Sequence, residues 1–132
     1  MKQTFTAKSV VTENSPEEES FIVGFMDNEK DPSEFALFQR AFEFDDQDEE
    51  TGLAGHWFEY KDQAYGDYKA CESVTILKDV IKIKISENSK NIFSEFSGFE
   101  IHFNISNEEL KFMIETMKSI FQDNPEILRI ED

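Results

Sequence analysis

A single cysteine, Cys71, among 132 residues excludes an intramolecular disulfide, and its neighbours Ala70 and Glu72 offer neither metal-ligand spacing nor a cation to activate the thiol. Its setting is that of a partly buried strand thiol. Only two histidines are present, His56 and His102, and no Ser-His-Asp or Cys-His arrangement is marked by their spacing. Cations are scarce: 13 Lys and Arg stand against 29 Asp and Glu, a formal net charge of -16. The nearest thing to a basic cluster, Lys78, Lys82 and Lys84, reads as the polar edge of a strand pair, so nucleic acid and anionic membranes are disfavoured as partners. No apolar run approaches the ~18 residues of a membrane span, and the opening "MKQTFTAKSVV" lacks the apolar core of a signal peptide. That reading places the chain in the cytoplasm. With no Gly-rich phosphate loop, internal repeat or low-complexity tail, no cofactor is expected and residues 1–132 read as a single domain.

What the chain has in quantity is phenylalanine, fourteen of them, within a hydrophobic fraction of 39% that sets it apart from disordered compositions. Strand signals come first. "TFTAKSVVT" (4–12) partly alternates, and "SFIVGFMD" (20–27) is β-rich; the charged connector "ENSPEEE" between them suggests a long-looped hairpin. In "EFALFQRAFEF", Phe35, Leu37 and Gln39 lie opposite Ala36, Phe38 and Arg40, apolar enough for a strand, with a short helix as the alternative. Further strands are expected at 56–62, 72–77 and 80–86; in the last, Ile81, Ile83 and Ile85 face one side and Lys82 and Lys84 the other. "FEIHFNI" (99–105) alternates in the same way and puts His102 on a polar face, where a solvated role outweighs a catalytic one.

The helix signal is last. Ser106 and Glu109 have capping-box spacing, and Leu110, Met113, Ile114, Met117, Ile120 and Phe121 then recur at three and four until Asn124-Pro125. The stripe either packs on the face carrying Ile81, Ile83, Phe99, Ile101 and Phe103 or forms a Met-rich groove for a partner helix; the sheet needs a cover, which favours packing. The expected fold is α+β, an antiparallel β-sheet of about six or seven strands covered on one face by a C-terminal amphipathic helix.

Between Glu43 and Glu50 every residue except Phe44 and Gln47 is acidic. A solvated loop is the bland explanation. The apolar frame of Phe42, Phe44, Leu53, Trp57 and Phe58 argues instead for a segment held near the sheet. An EF-hand frame started at Asp46 places Asp48 and Glu50 well but puts Thr51 where Gly belongs and Trp57 where Glu belongs, leaving only a non-standard calcium or magnesium site as an alternative. A glycosidase-like carboxylate pair cannot be picked out of 29 acids by spacing. The third reading is a negative face for a basic protein. Carboxylates spaced at roughly 3.3 Å in extended chain approximate the ~3.4 Å phosphate spacing of a DNA strand. Charge of this kind speeds association, and nearby aromatics lengthen the complex's life. The candidate contact residues are Asp45, Asp46, Asp48, Glu49, Glu50, Trp57, Glu59 and Tyr60, with Phe58 beside them.

The run "FQRAFEFDDQDEETGLAGHWFEYKDQAYGDY" adds a further indication through Gln39, Arg40 and Ala41 leading into Asp45, Gln47 and Asp48, then Gly52, the Trp57-Phe58-Glu59 triplet, and Gln63 before Tyr65 and Gly66. In these features the chain resembles immunity protein family ten of bacterial polymorphic toxin systems, over roughly residues 21–121. Where that pattern often has a second glycine after Tyr-Gly, this sequence has Asp67. The resemblance implies a small cytoplasmic α+β protein that binds a cognate toxin and blocks it without chemistry of its own. A toxin with a basic surface suits the charge. The alternative is an acidic interaction or DNA-mimic domain unrelated to toxins, with a small acid-base enzyme behind it. An exposed edge strand could also pair two copies into a homodimer.

Overall fold

The computed structural model describes residues 2–28, 30, 33–44, 47, 50 and 55–131, without the side chains of 62–64. The strands are β1 (Lys2–Thr6), β2 (Ser9–Ser15), β3 (Ser20–Met26), β4 (Phe35–Ala41), β5 (Trp57–Tyr60), β6 (Asp62–Tyr68), β7 (Cys71–Ile76), β8 (Val80–Ile85), β9 (Gly98–His102) and β10 (Leu128–Ile130), with helix α1 (Asn107–Ile120) before the last. They form two five-stranded sheets in the orders β1-β9-β8-β7-β10 and β2-β3-β4-β5-β6. The α+β class holds, but the one expected sheet is two.

The physical reason lies at Ala7 and Lys8. The run 4–12 is not one strand: the Ala7 amide still donates to His102 O at 2.7 Å, whereas the Lys8 amide donates to Met26 O at 2.8 Å, so the chain changes sheets between adjacent residues. The second sheet is an antiparallel meander throughout. The first is mixed, because β1 runs parallel to β9 and β10 parallel to β7.

Phenylalanine fills the space between the layers. Phe58 of β5 has its ring 4.8 Å from Phe38, 5.4 Å from Phe99 and 5.8 Å from Phe93, and Tyr60 lies 4.7 Å from Phe99. Facing sheets stand about 10 Å apart, a gap that large rings bridge from both sides, and each such pair contributes about 0.5–1.5 kcal/mol beyond the area it buries. The face that carries Phe99 is therefore covered, at this ring, by the other sheet. Helix α1 lies instead on β2, β3 and β4, with Met113, Thr116, Met117 and Ile120 buried and Phe121 6.0 Å from Phe38. Its methionines are core, not groove. Ser106 caps it as the spacing predicts: Ser106 Oγ accepts from the Glu109 amide at 3.1 Å and Glu109 Oε1 accepts from the Ser106 amide at 3.3 Å. No described helix is long and apolar enough to cross a membrane.

Candidate functional site

Register fixes where the acidic segments meet. Ser15 pairs with Ser20, Ser20 with Ala41, Gln39 with Trp57, and Trp57 with Tyr68. The β2–β3 turn and the β4–β5 connector therefore leave the same end of the second sheet. The turn contributes Glu17, Glu18 and Glu19, all exposed, and the connector contributes Glu43 and Glu50, also exposed. Asp45, Asp46, Asp48 and Glu49 lie outside the described residues. The two segments touch directly: the Phe42 amide donates to Glu19 O at 2.8 Å, with Glu19 in the left-handed region at φ 52°. From the sequence the turn reads only as a charged connector. What joins it to the acidic run is the pairing of β3 with β4, which sequence spacing does not reveal.

The root of the connector is built from a buried cation. Arg40, 6% exposed, donates from Nε to Asp123 Oδ2 at 2.7 Å and from Nη2 to Asp123 Oδ1 at 2.9 Å. Its Nη1 serves the carbonyls of Ala41 and Phe42 at 2.6 and 3.1 Å, and its carbon Cζ lies 4.3 Å from the centre of the Phe44 ring. Phe42 packs edge-on against Phe21 at 4.7 Å. The expected apolar anchors Phe42 and Phe44 thus hold the connector's first turn, while Phe58 is fully buried in the core and Leu53 lies outside the described residues. The Arg40 hydrogen bonds keep the Asp123 carboxyl below the usual carboxylate range. Neither partner's role is visible in sequence, since 83 positions separate them.

At the returning root, His56 is buried. Its Nε2 accepts from the Cys71 amide at 3.1 Å, its ring lies 4.5 Å from Phe121, and its carbonyl accepts from the Lys69 amide at 2.8 Å. Burial pushes its pKa down to about 4, opposed by Asp123 and helped by Lys69, so the ring is neutral at pH 7. Cys71 is buried with its thiol pKa raised by desolvation. A neutral histidine accepting from a backbone amide, next to a thiol held protonated, is a structural contact; it activates no nucleophile. His102 is exposed, as expected, with Nε2 3.0 Å from Glu100 Oε2. Among the described residues no three His, Cys, Asp or Glu side chains are grouped to hold a metal ion.

Trp57 opens β5 on the sheet's outer face and is half-buried. Its Nε1–H donates to Glu59 Oε1 at 2.8 Å, its ring meets Tyr68 edge-on at 5.0 Å, and it lies across Gly66, where an added Cβ would fall 2.3 Å from Trp57 Cζ2. Glycine is required there by this close approach. Glu59 and Tyr60, read from sequence as contact residues, are only 7% and 1% exposed. Glu59 instead orients the indole. The Tyr60 hydroxyl donates to Glu34 Oε2 at the opposite end of β5 from the acidic connector, and burial and this carboxylate raise its pKa.

A family model described as Immunity protein 10 matches residues 6–111, from the end of β1 into α1, and so takes in both acidic segments, Arg40 and Trp57 but not Asp123. No curated protein and no solved structure matches the chain.

Proposed function

The chain belongs to the immunity protein 10 family, and from that premise we propose that it binds a cognate toxin and neutralises it by stoichiometric occlusion in the cytoplasm of the producing cell, with its acidic end turned toward a basic toxin surface. The observation that carries this reading is the hydrogen-bonded meeting of the β2–β3 turn with the β4–β5 connector. The turn that carries Glu17, Glu18 and Glu19 leaves the same end of the sheet as the connector that carries Glu43 and Glu50, and Arg40 holds that connector at its root. A surface loop that served only solubility would need no such clamp. Concentrated negative charge attracts a basic partner and raises its association rate by about 10 to 10³-fold at low salt. Trp57 supplies the aromatic contact, Glu59 holds it in place, and Tyr60 fixes the far end of β5 in the core. No catalytic step is assigned to the chain.

The test is co-expression with the protein encoded immediately upstream in the source genome, scored by cell survival, followed by binding kinetics at low and physiological salt. Tight one-to-one binding whose association rate falls with salt is the expected result. Replacing Glu17, Glu18, Glu19, Asp45, Asp46, Asp48, Glu49 and Glu50 with their amides should slow association at least about tenfold and flatten its salt dependence. Unchanged affinity and unchanged salt response would reduce the acidic end to solvated surface. Binding to several unrelated basic proteins, with no rescue of survival, would favour a DNA mimic over an immunity protein.

A further inference from the structure

The acidic connector leaves β4 after Ala41 and enters β5 at Trp57, so residues 42–56 span a gap that about two to five residues close in an ordinary hairpin. A connection of that length is positioned by whatever holds its two ends. One short stretch of chain holds both. At the outgoing end, Arg40 donates to both oxygens of Asp123, from Nε at 2.7 Å and from Nη2 at 2.9 Å. At the returning end, the ring of His56 lies 4.5 Å from that of Phe121. Asp123 bears on His56 as well, because its charge opposes the downward pull of burial on the imidazole pKa. Phe121 and Asp123 sit at the C-terminal end of α1, past residue 111, where the family match ends.

The stretch is itself fixed. Phe121 is buried, its amide donates to Met117 O at 3.0 Å, and the Asn124 amide donates to Phe121 O at 3.0 Å, so the chain turns as a continuation of the helix. The helix in turn lies on β2, β3 and β4, with Met113, Met117 and Ile120 buried. From Asp123 the contacts run without a break to the acidic segments: Arg40 Nη1 donates to Ala41 O and Phe42 O at 2.6 and 3.1 Å, and the Phe42 amide donates to Glu19 O at 2.8 Å. Glu43 is the next residue along one segment, and Glu17 and Glu18 directly precede Glu19 on the other.

We infer that Asp123 and Phe121 are positioning residues for partner binding: without touching the partner, they hold the two roots of the connector so that Glu43 is presented together with Glu17, Glu18 and Glu19. This deepens the proposed function and rests on it. Holding a binding segment in place before the partner arrives raises affinity, because less ordering remains to be lost on association. Neutralising a buried guanidinium asks only for a carboxylate beside it. It does not ask that the same turn of chain also press a ring against the opposite root of the loop, and that second contact is what assigns the stretch a role beyond charge balance.

The experiment uses the full chain and the protein encoded upstream of it, at a temperature where circular dichroism shows every variant folded. Affinity is measured for wild type, Asp123→Asn, Phe121→Leu, Arg40→Met and the double variant Arg40→Met with Asp123→Asn, and hydrogen exchange at the Phe42 amide is followed in each free chain. Ser106→Ala, at the far end of the same helix, controls for lost stability. Asp123→Asn and Phe121→Leu should each weaken binding by about tenfold and speed exchange at Phe42, Ser106→Ala should do neither, and Asp123→Asn should add nothing once Arg40 is Met. An equal loss in Ser106→Ala would overturn the inference by reducing the effect to stability. A loss from Asp123→Asn that persists in the Arg40→Met background would overturn it too, since Asp123 would then meet the partner itself. Wild-type affinity in both Asp123→Asn and Phe121→Leu would overturn it and leave the acidic-end reading standing. If the wild type does not bind at all, the immunity reading falls and this one with it.

Discussion

Arg40 satisfies its guanidinium with one carboxylate and two carbonyls while almost wholly removed from water, and Asp123, 37% exposed at its side chain, is the more solvated partner. That asymmetry predicts unequal costs. Asp123→Ala leaves a buried cation with its charge uncompensated and should destabilise by about 3–5 kcal/mol, whereas Arg40→Met lets Asp123 turn to water and should cost only about 1–3 kcal/mol. Urea denaturation of the two variants orders them; a milder Asp123→Ala would mean that water reaches the guanidinium. At this scale the sequence was partly readable. Alternation put Arg40 on the same face as Ala36 and Phe38, which is where it lies, but an arginine on a core face gives no sign of the acid that neutralises it 83 residues later. Trp57 reads from the sequence equally as a core residue or as a contact aromatic, and the structure leaves it half-buried. The burial of Glu59 and Tyr60 was not legible, because it depends on which elements pack over their strand.

Elements were most legible where one periodicity ran without interruption. From Ile81 to Ile85 β8 alternates buried isoleucine with exposed lysine, and in β9 the buried Phe99 and Ile101 alternate with the more open Glu100 and His102. Helix α1 announces itself through its capping box, whose two hydrogen bonds are local and so follow from four residues alone. Ser106→Ala should therefore cost about 1 kcal/mol, and Ser106→Gly only a few tenths, since glycine tolerates the cap conformation without making the bond. Thermal unfolding of the pair checks this, and equal losses would show that glycine's backbone freedom gives no relief at this cap. β6 and β10 escaped the sequence reading. Asp62–Tyr68 is rich in polar residues and glycine and is a strand because β5 pairs with it across a bulge, and Leu128–Ile130 is three residues recruited by β7. Tertiary pairing overrides weak local preference in both.

The whole molecule carries its charge as self-repulsion. A net -16 on 132 residues opposes compaction at neutral pH, and the ion pairs that offset it, such as Lys84–Glu72 and Lys90–Glu87, are on exposed side chains that contribute little. Raising NaCl from about 20 mM to about 500 mM shortens the screening length severalfold and should lift Tm by about 5 °C. Scanning calorimetry decides it. A fall in Tm would mean that specific ion pairs, not repulsion, dominate the electrostatics. The same screening should slow partner association, so salt would stabilise the free chain and disfavour encounter at once, an opposition that a protein with balanced charge would not show.

By itself the sequence determined the sign of the surface, the period-two strands, the capped helix and the family, because composition, alternation and short motifs are local properties. Only the tertiary structure decided that the described strands form two sheets, that α1 covers β2 to β4, and that Glu17 to Glu19 join the acidic connector. Alternation tells which residues of a strand share a face. It does not tell which strand lies alongside, and every feature of the candidate site depends on that choice of neighbour.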